Sequence, residues 1–365
     1  MKIVCTQENL KNGLIIVGKI VSQNNTLPIL NNILFKTENG LLKISSTNLE
    51  IAITTYVRCK IEEPGEIALP CKLFIDLVNN LPNKNISLTQ EGNELKIETE
   101  NYETKIKTLP ADDLPQIPQN ETDLSFLINP EEFKNALEKV VHSASTNQTQ
   151  LEICGVLFSL SDNKVKFVAT DRYRLSEKIM YLKHSGVTKE VIVPAKTVFE
   201  ICRLAGSEKK DMSVFLGSSQ IVFNLGETML LSRVIDGQYP DYNQIIPTTY
   251  NTKIVTNKKN LINALKTSGV FSQSSGSVNF SFSKQKQTVS LNTESSDLGK
   301  SLIELPSEIT GEDGSMILNF RYLLDCLQVI LGEKIIFKII NDSSPTVISS
   351  DEENGYLYLV MPIKL

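Results

Sequence analysis

Histidine is scarce in this chain, whose 365 residues contain only two, His142 and His184. A catalytic nucleophile needs a base within hydrogen-bond reach, and histidine is the commonest one, so little acid–base chemistry is open to this sequence. His142 falls late in an amphipathic stretch, where a solvated helix face is expected, and His184 sits in Leu182-Lys-His-Ser-Gly186, which reads as a turn. The strings G-x-S-x-G, G-x-x-x-x-G-K-[ST], H-E-x-x-H and G-x-G-x-x-G are missing. Asp112-Asp113 and Asp351-Glu-Glu353 read as solvated loops, because a metal or acid–base site needs further convergent ligands. No enzymatic activity, cofactor or metal site is expected. A hydrolase would have to rest on the two histidines alone.

Cysteine is sparse and dispersed. Cys5, Cys59, Cys71, Cys154, Cys202 and Cys326 include no C-x-x-C pair, which excludes a zinc or disulfide framework and fits buried thiols in a reducing compartment. The longest apolar runs, such as Leu14 to Val17, fall far below the ~20 residues of a membrane-spanning helix. Glu8 and Lys11 interrupt the stretch in which a secretory signal would need a continuous apolar core. A cytoplasmic location without a membrane partner is expected. Positive charge is also in deficit: 37 Lys and Arg against 42 Asp and Glu leave a formal net charge of −5. The molecule as a whole repels polyanions, so a nucleic-acid partner requires a localised basic surface. With 41% hydrophobic and 22% charged residues the composition is that of a packed globular protein, and its length predicts two or three domains.

What the sequence does contain is an internal repeat. Glu8-Asn-Leu-Lys-Asn-Gly-Leu14 recurs as Glu131-Glu-Phe-Lys-Asn-Ala-Leu137 and as Lys259-Asn-Leu-Ile-Asn-Ala-Leu265, making Leu10, Phe133 and Leu261 equivalent. Each copy opens an amphipathic helix. A second landmark follows in each unit: Leu69-Pro70-Cys-Lys72, Val193-Pro194-Ala-Lys196 and Leu318-Asn319-Phe-Arg321. Proline is tolerated in an opening helical turn, so each unit is expected to carry two helices in corresponding places. Elsewhere the hydrophobic period is two, as in Leu42-Lys-Ile-Ser, Lys164-Val-Lys-Phe-Val, Val289-Ser-Leu-Asn and Leu95-Lys-Ile-Glu. Turns are expected at Asn39-Gly40, Asp162-Asn163 and Glu91-Gly92, giving half-buried antiparallel strands. The proline-rich segment 109–118 and Ile246-Pro-Thr-Thr-Tyr250 read as linkers. The fold class expected is α+β, with three similar domains over 1–120, 121–248 and 249–365, each with two helices on antiparallel sheets.

One column of the repeat is basic throughout: Lys72, Lys196 and Arg321. Around the first of these helices Leu73, Phe74, Leu77, Val78 and Leu81 form an apolar stripe, and Lys72 points roughly 170° from its centre at about 100° per residue. Lysines also recur on the first helices of the units: Lys11 and Lys19, Lys134 and Lys139, and Lys258, Lys259 and Lys266. Each taken singly reads as a solvated helix face. If the domains surround an axis, the helices line one surface with positive charge, which binds phosphates without reading bases.

These landmarks resemble the beta subunit of bacterial DNA polymerase III, the replicative sliding-clamp family. The residues that carry the resemblance are Thr26-Leu-Pro-Ile-Leu30, Glu63-Pro-Gly65, Thr108-Leu-Pro-Ala-Asp-Asp-Leu-Pro115, Ala169-Thr-Asp-Arg-Tyr-Arg-Leu175, Val191-Ile-Val-Pro194, Val234-Ile-Asp-Gly-Gln-Tyr-Pro-Asp-Tyr242 and Val360-Met-Pro-Ile-Lys-Leu365. They span essentially the whole chain. The resemblance implies the DNA clamp fold and a head-to-tail homodimeric ring around duplex DNA, without sequence preference or catalysis. It also implies a processivity factor, loaded by an ATP-driven clamp loader complex, that tethers the polymerase alpha subunit and other proteins carrying clamp-binding motifs.

The candidate DNA-binding residues are the repeated cations Lys72, Lys196 and Arg321 with Lys11 and Lys134 of the first helices, of which Lys72 and Lys196 also match the family by position. Carried over by position, the family's peptide-binding pocket falls on Ile153, Thr170, Arg174, Leu175, Pro240, Ile245, Asn319, Tyr322, Val360, Met361 and Pro362. Its dimer interface falls on Ile106, Val270 and Phe271. The chain departs from the family pattern at Arg172, where a small residue is expected, and at Asn24 and Gln150, where relatives often carry arginine. A clamp-fold protein–protein adaptor that does not act on DNA is the alternative reading.

Overall fold

The computed structural model of the chain describes residues 1–21, 27–115, 125–182, 188–206, 210–272 and 276–364. Asn24, His184, the end of the 109–118 linker and the expected boundary at 120 lie outside the described residues.

Among the described residues, six α-helices fall in three successive pairs: α1 (Gln7–Gly18) with α2 (Cys71–Asn80), α3 (Pro130–Val141) with α4 (Ala195–Ala205), and α5 (Lys258–Gly269) with α6 (Phe320–Val329). The equivalent residues Leu10, Phe133 and Leu261 are all fully buried, on α1, α3 and α5. Thr6 and Asn257 stop the preceding strands and start α1 and α5, each accepting a hydrogen bond from the backbone N–H three residues on. At the second landmark the residue stands at the cap and not inside the first turn: Pro70 precedes α2 with extended backbone, and Asn319 caps α6 through its own side chain.

The contacts divide the chain into two compact units, residues 1–131 with 203–234 and residues 132–202 with 235–365. In the first, an eight-stranded sheet runs from Ser125–Ile128 through Met212–Leu216, Gln220–Leu225, Thr228–Arg233, Ile51–Arg58, Leu41–Thr47 and Asn32–Glu38 to Glu66–Pro70. A five-stranded sheet has the order Lys60–Glu63, Lys2–Thr6, Asn85–Glu91, Glu94–Thr99, Tyr102–Lys107. Helices α1 and α2 pack together, with α1 on Ile51–Arg58 and Leu41–Thr47, and Phe35 meets Phe74 edge-on with centroids 5.4 Å apart.

The second unit holds one twelve-stranded sheet. Its first half is Lys189–Pro194, Gly155–Ser161, Lys164–Thr170, Arg174–Tyr181, Tyr356–Val360 and Thr346–Ser349. Its second half is Lys334–Ile339, Thr252–Asn257, Gly299–Thr310, Thr288–Ser295, Ser277–Ser283 and Gly314–Asn319. Phe133 of α3 packs edge-on against Phe158 and Phe167. Strands of the middle repeat therefore enter both large sheets: Thr228–Arg233 pairs antiparallel with Ile51–Arg58, and Arg174–Tyr181 with Tyr356–Val360. Strands that would end a smaller sheet thereby satisfy their backbone groups.

The repeat extends to helix packing. A Cβ on Gly18 would lie 2.5 Å from Ile75 Cδ1, and one on Gly269, equivalent in α5, would lie 2.6 Å from Phe320 Cε2. Glycine lets α1 and α5 approach α2 and α6 closely, whereas α3 carries Val141 at the equivalent position. Of the expected turns, Asn39 and Gly40 have φ of 53° and 80°, the left-handed geometry that a two-residue hairpin requires.

Several sequence expectations fail on packing. Leu73, assigned to the apolar stripe of α2, is 54% exposed, because Cys71, Phe74 and Val78 form the buried face and Leu73 lies beside it. Glu353, read as a solvated turn residue, is buried. So is Lys139, whose ammonium pairs with the Glu353 carboxylate. Lys258 turns back to donate to the Ile330 carbonyl at 2.5 Å. Neither lysine is a solvated helix-face residue. Four cysteines are buried, while Cys59 and Cys154 are half-buried, and all six are free thiols. No described helix is long and apolar enough to cross a membrane.

Candidate functional site

Two sets of residues matter, the repeated cations and a cleft in the second unit. Lys72, Lys196 and Arg321 are exposed, each the second residue of its helix. None of the three forms an ion pair with a carboxylate among the described residues. Arg321 rests its guanidinium 5.7 Å from the centroid of Phe320. Lys11 and Lys134 are half-exposed, and Lys134 is partly neutralised by Glu138 one turn on, at 3.8 Å.

The cleft is built around the turn between Lys164–Thr170 and Arg174–Tyr181. Asp171 Oδ1 accepts the N–H groups of Tyr173 and Arg174, both at 3.0 Å, and its Oδ2 accepts Arg174 Nε at 2.9 Å. Arg174 also donates through Nη1 to Asp325 at 2.5 Å and through Nη2 to the His142 carbonyl at 2.6 Å. Its guanidinium lies 4.3 Å from the Tyr322 ring centroid. Arg174 thus ties α6, the end of α3 and the turn together, with its planar donor fork engaged on three sides. The resulting cleft has a volume of about 360 Å³ and is lined by Ile153, Arg174 and Tyr322 of the expected pocket, joined by Gln150, Arg172 and Tyr173.

The other expected pocket residues have varied placements. Thr170 donates to the Arg174 carbonyl at 2.7 Å and accepts Arg172 N–H at 3.1 Å, bracing the turn. Leu175 is buried in a cluster with Leu359, Tyr239 and Tyr242, and Val360 belongs to the core of the third repeat. Pro240 and Ile245 are exposed on either side of the buried Tyr242. Burial and the Glu177 carboxylate, which accepts the Tyr242 hydroxyl at 2.7 Å, push that phenol up. Met361 N–H donates to the Tyr173 carbonyl at 2.8 Å, which ties the C-terminal segment to the turn. Pro362 is buried. Asn319 is occupied as the α6 cap. Tyr173 escaped the sequence reading. Its signal was its place in the motif Ala169-Thr-Asp-Arg-Tyr-Arg-Leu175, and it is 62% exposed.

His142 does not lie on a solvated helix face. It follows the end of α3, its ring stacked on Tyr358 at 6.0 Å between centroids. Burial, with the nearby Arg174 charge, pushes its pKa down to about 4. No group of three or more His, Cys, Asp or Glu among the described residues is arranged to hold a metal. Of the expected interface residues, Val270 is 67% exposed and Phe271 half-buried, whereas Ile106 is only 7% exposed and lies within its own sheet's core.

Three helix pairs on antiparallel sheets, repeated along one chain, define the DNA clamp class of fold. Three family models match it: the DNA polymerase III beta subunit N-terminal domain over residues 1–118, the central domain over 127–241 and the C-terminal domain over 243–364. The chain belongs to the DNA polymerase III beta subunit family. The beta sliding clamp of Synechocystis sp. is 28% identical over 389 residues, covering 100% of both proteins. The solved DNA polymerase III beta subunit of Thermotoga maritima is 27% identical with a TM-score of 0.93, covering 100% of this chain and 99% of that one. The sliding clamp of Bartonella birtlesii, solved bound to griselimycin, is 26% identical with a TM-score of 0.96, covering 100% of both chains.

Proposed function

We infer that this chain is a processivity factor, a homodimeric ring that encircles duplex DNA and tethers the replicative polymerase and other DNA-processing proteins through the cleft of its second unit. The observation that carries this reading is the recurrence of an exposed cation, Lys72, Lys196 and Arg321, at the second residue of one helix in every repeat. Cations without fixed carboxylate partners suit weak, sequence-independent phosphate contacts, which let a ring slide. The domains are taken as 1–120, 121–248 and 249–365. The partners are the DNA polymerase III alpha subunit, the clamp loader complex and proteins with clamp-binding peptides. The site of action is the cytoplasm, and the chain itself catalyses nothing.

The dimer is proposed to close head to tail. Val270 supplies an exposed apolar group, and the free strand edges among the described residues include Tyr102–Lys107 and the first part of Gly299–Thr310, which pairs only with Thr288–Ser295. Such edges support pairing between copies. The test is primer extension on singly primed circular DNA with a cognate loader, alongside solution mass and electron microscopy. Long products and ring-shaped dimers are expected. Unchanged processivity would leave the adaptor reading, and a strict monomer at micromolar concentration would remove the ring.

A further inference from the structure

Arg172 lines the cleft from the turn between Lys164–Thr170 and Arg174–Tyr181. It sits in the turn with φ of 76°, a left-handed backbone that glycine adopts freely and a residue with a Cβ does not. Nothing in the turn needs its side chain: Thr170, Asp171 and Arg174 hold the turn by themselves. The side chain is exposed and crosses the cleft mouth, where its Nε donates to Gln150 Oε1 at 2.9 Å. Gln150 occupies the loop that precedes Ile153, so the bridge joins two walls of the same cleft.

The charges around it are unevenly shared. Asp171 is spent on Arg174 and two backbone N–H groups, and Asp325 receives Arg174 Nη1. Glu152 turns elsewhere, its side chain lying against Gly237. Arg172 therefore remains a cation at the rim with no carboxylate partner among the described residues. Because Gln150 takes the Nε hydrogen, the Nη1–Nη2 edge is the part left to accept an incoming group. That edge presents parallel N–H donors of the geometry a carboxylate matches.

We propose that Arg172, oriented by Gln150, makes the cleft select peptides that carry an aspartate or glutamate side chain beside their apolar anchors. The proposal rests on the reading of this cleft as a peptide site. Gln150 is a positioning residue: it holds the guanidinium flat across the mouth, so less side-chain freedom is lost when the carboxylate arrives.

The test uses the full-length protein and fluorescein-labelled synthetic decapeptides with two leucine anchors, in which one aspartate, or one asparagine in its place, is scanned through the remaining positions. Fluorescence anisotropy at low salt is expected to find at least one position where aspartate binds about fivefold tighter than asparagine. The preference should shrink at high salt. In Arg172→Gln it should vanish, so that the aspartate and asparagine peptides bind equally. Gln150→Ala should lower the preference without removing it. A preference that survives unchanged in Arg172→Gln, or equal binding of every aspartate and asparagine pair to the unaltered protein, overturns this proposal and leaves the cleft a peptide site. Failure of all peptides to bind the unaltered protein overturns the peptide-site reading and this inference with it.

Discussion

Glu353 and Lys139, 214 residues apart in the chain, form an ion pair inside the second unit with side-chain exposures of 2% and 10%. Lys178 Nζ and the Leu331 N–H converge on the same carboxylate at 3.0 and 2.8 Å. Burial alone would raise the Glu353 carboxyl. The donors from Lys139, Leu331 and Lys178 outweigh it and hold the group below the ordinary carboxylate range. Glu353→Ala would strand two ammonium groups, one of them buried, and should destabilise the protein by about 3 kcal/mol, read from urea unfolding at pH 7.

The sign of the pH dependence follows from that lowered value. A carboxyl with a depressed folded pKa contributes stability that is complete above its unfolded value and is lost as pH falls through the folded one. Unfolding midpoints should therefore fall below about pH 4.5, with a shallower fall in Glu353→Gln than in the unaltered protein. Equal slopes would mean that Glu353 carries no linked proton.

His142 makes a separate acid prediction. Its pKa, pushed down to about 4 by burial and the nearby Arg174 charge, keeps the ring neutral in the fold at neutral pH. The unfolded chain takes up a proton first, so this residue's contribution is lost as pH falls from about 6.5 to 4. In a nuclear magnetic resonance titration the His142 ring signals should stay flat between pH 8 and 5.5. A mid-range titration would show the ring to be solvated.

Alanine at Lys72, Lys196 and Arg321 together should reduce the slope of log affinity against log salt for duplex DNA by about 2–3, one counterion per lost phosphate contact. Folding stability should change little, since all three side chains are exposed. An unchanged slope would remove this helix face from the DNA surface.

Val270→Asp should convert the dimer to monomer. The residue is 67% exposed within one chain, so the substitution leaves the protomer folded and places a charge only where a second copy would cover it. Sedimentation of an intact dimer would move the interface elsewhere.

Deletion of 361–365 should abolish binding of a labelled polymerase C-terminal peptide, a loss of roughly 1–3 kcal/mol from a modest total. The deletion removes the Met361 bond to Tyr173 and the Ile363 bond to the Ile317 carbonyl, and with them the wall beside the turn. Full affinity in a folded truncated protein would reduce Met361 to packing.

The helix pairs, the buried positions Leu10, Phe133 and Leu261, and the exposed column Lys72, Lys196 and Arg321 were legible in the sequence because each depends on local period and on repetition along the chain. A side chain's face on a helix follows from neighbours three and four residues away. The burial of Lys139 with Glu353 was not legible, nor was the engagement of Arg174 by Asp171, Asp325 and the His142 carbonyl. These contacts join residues 32 to 214 positions apart, except for neighbouring Asp171, and no periodicity encodes such pairings. The same holds for the middle repeat's strands, which joined both large sheets because edge backbone groups seek partners wherever the fold brings them. Local sequence decided which residues are helical and where the repeated charges fall. Tertiary structure alone decided which charges meet, and so which remain available for a partner.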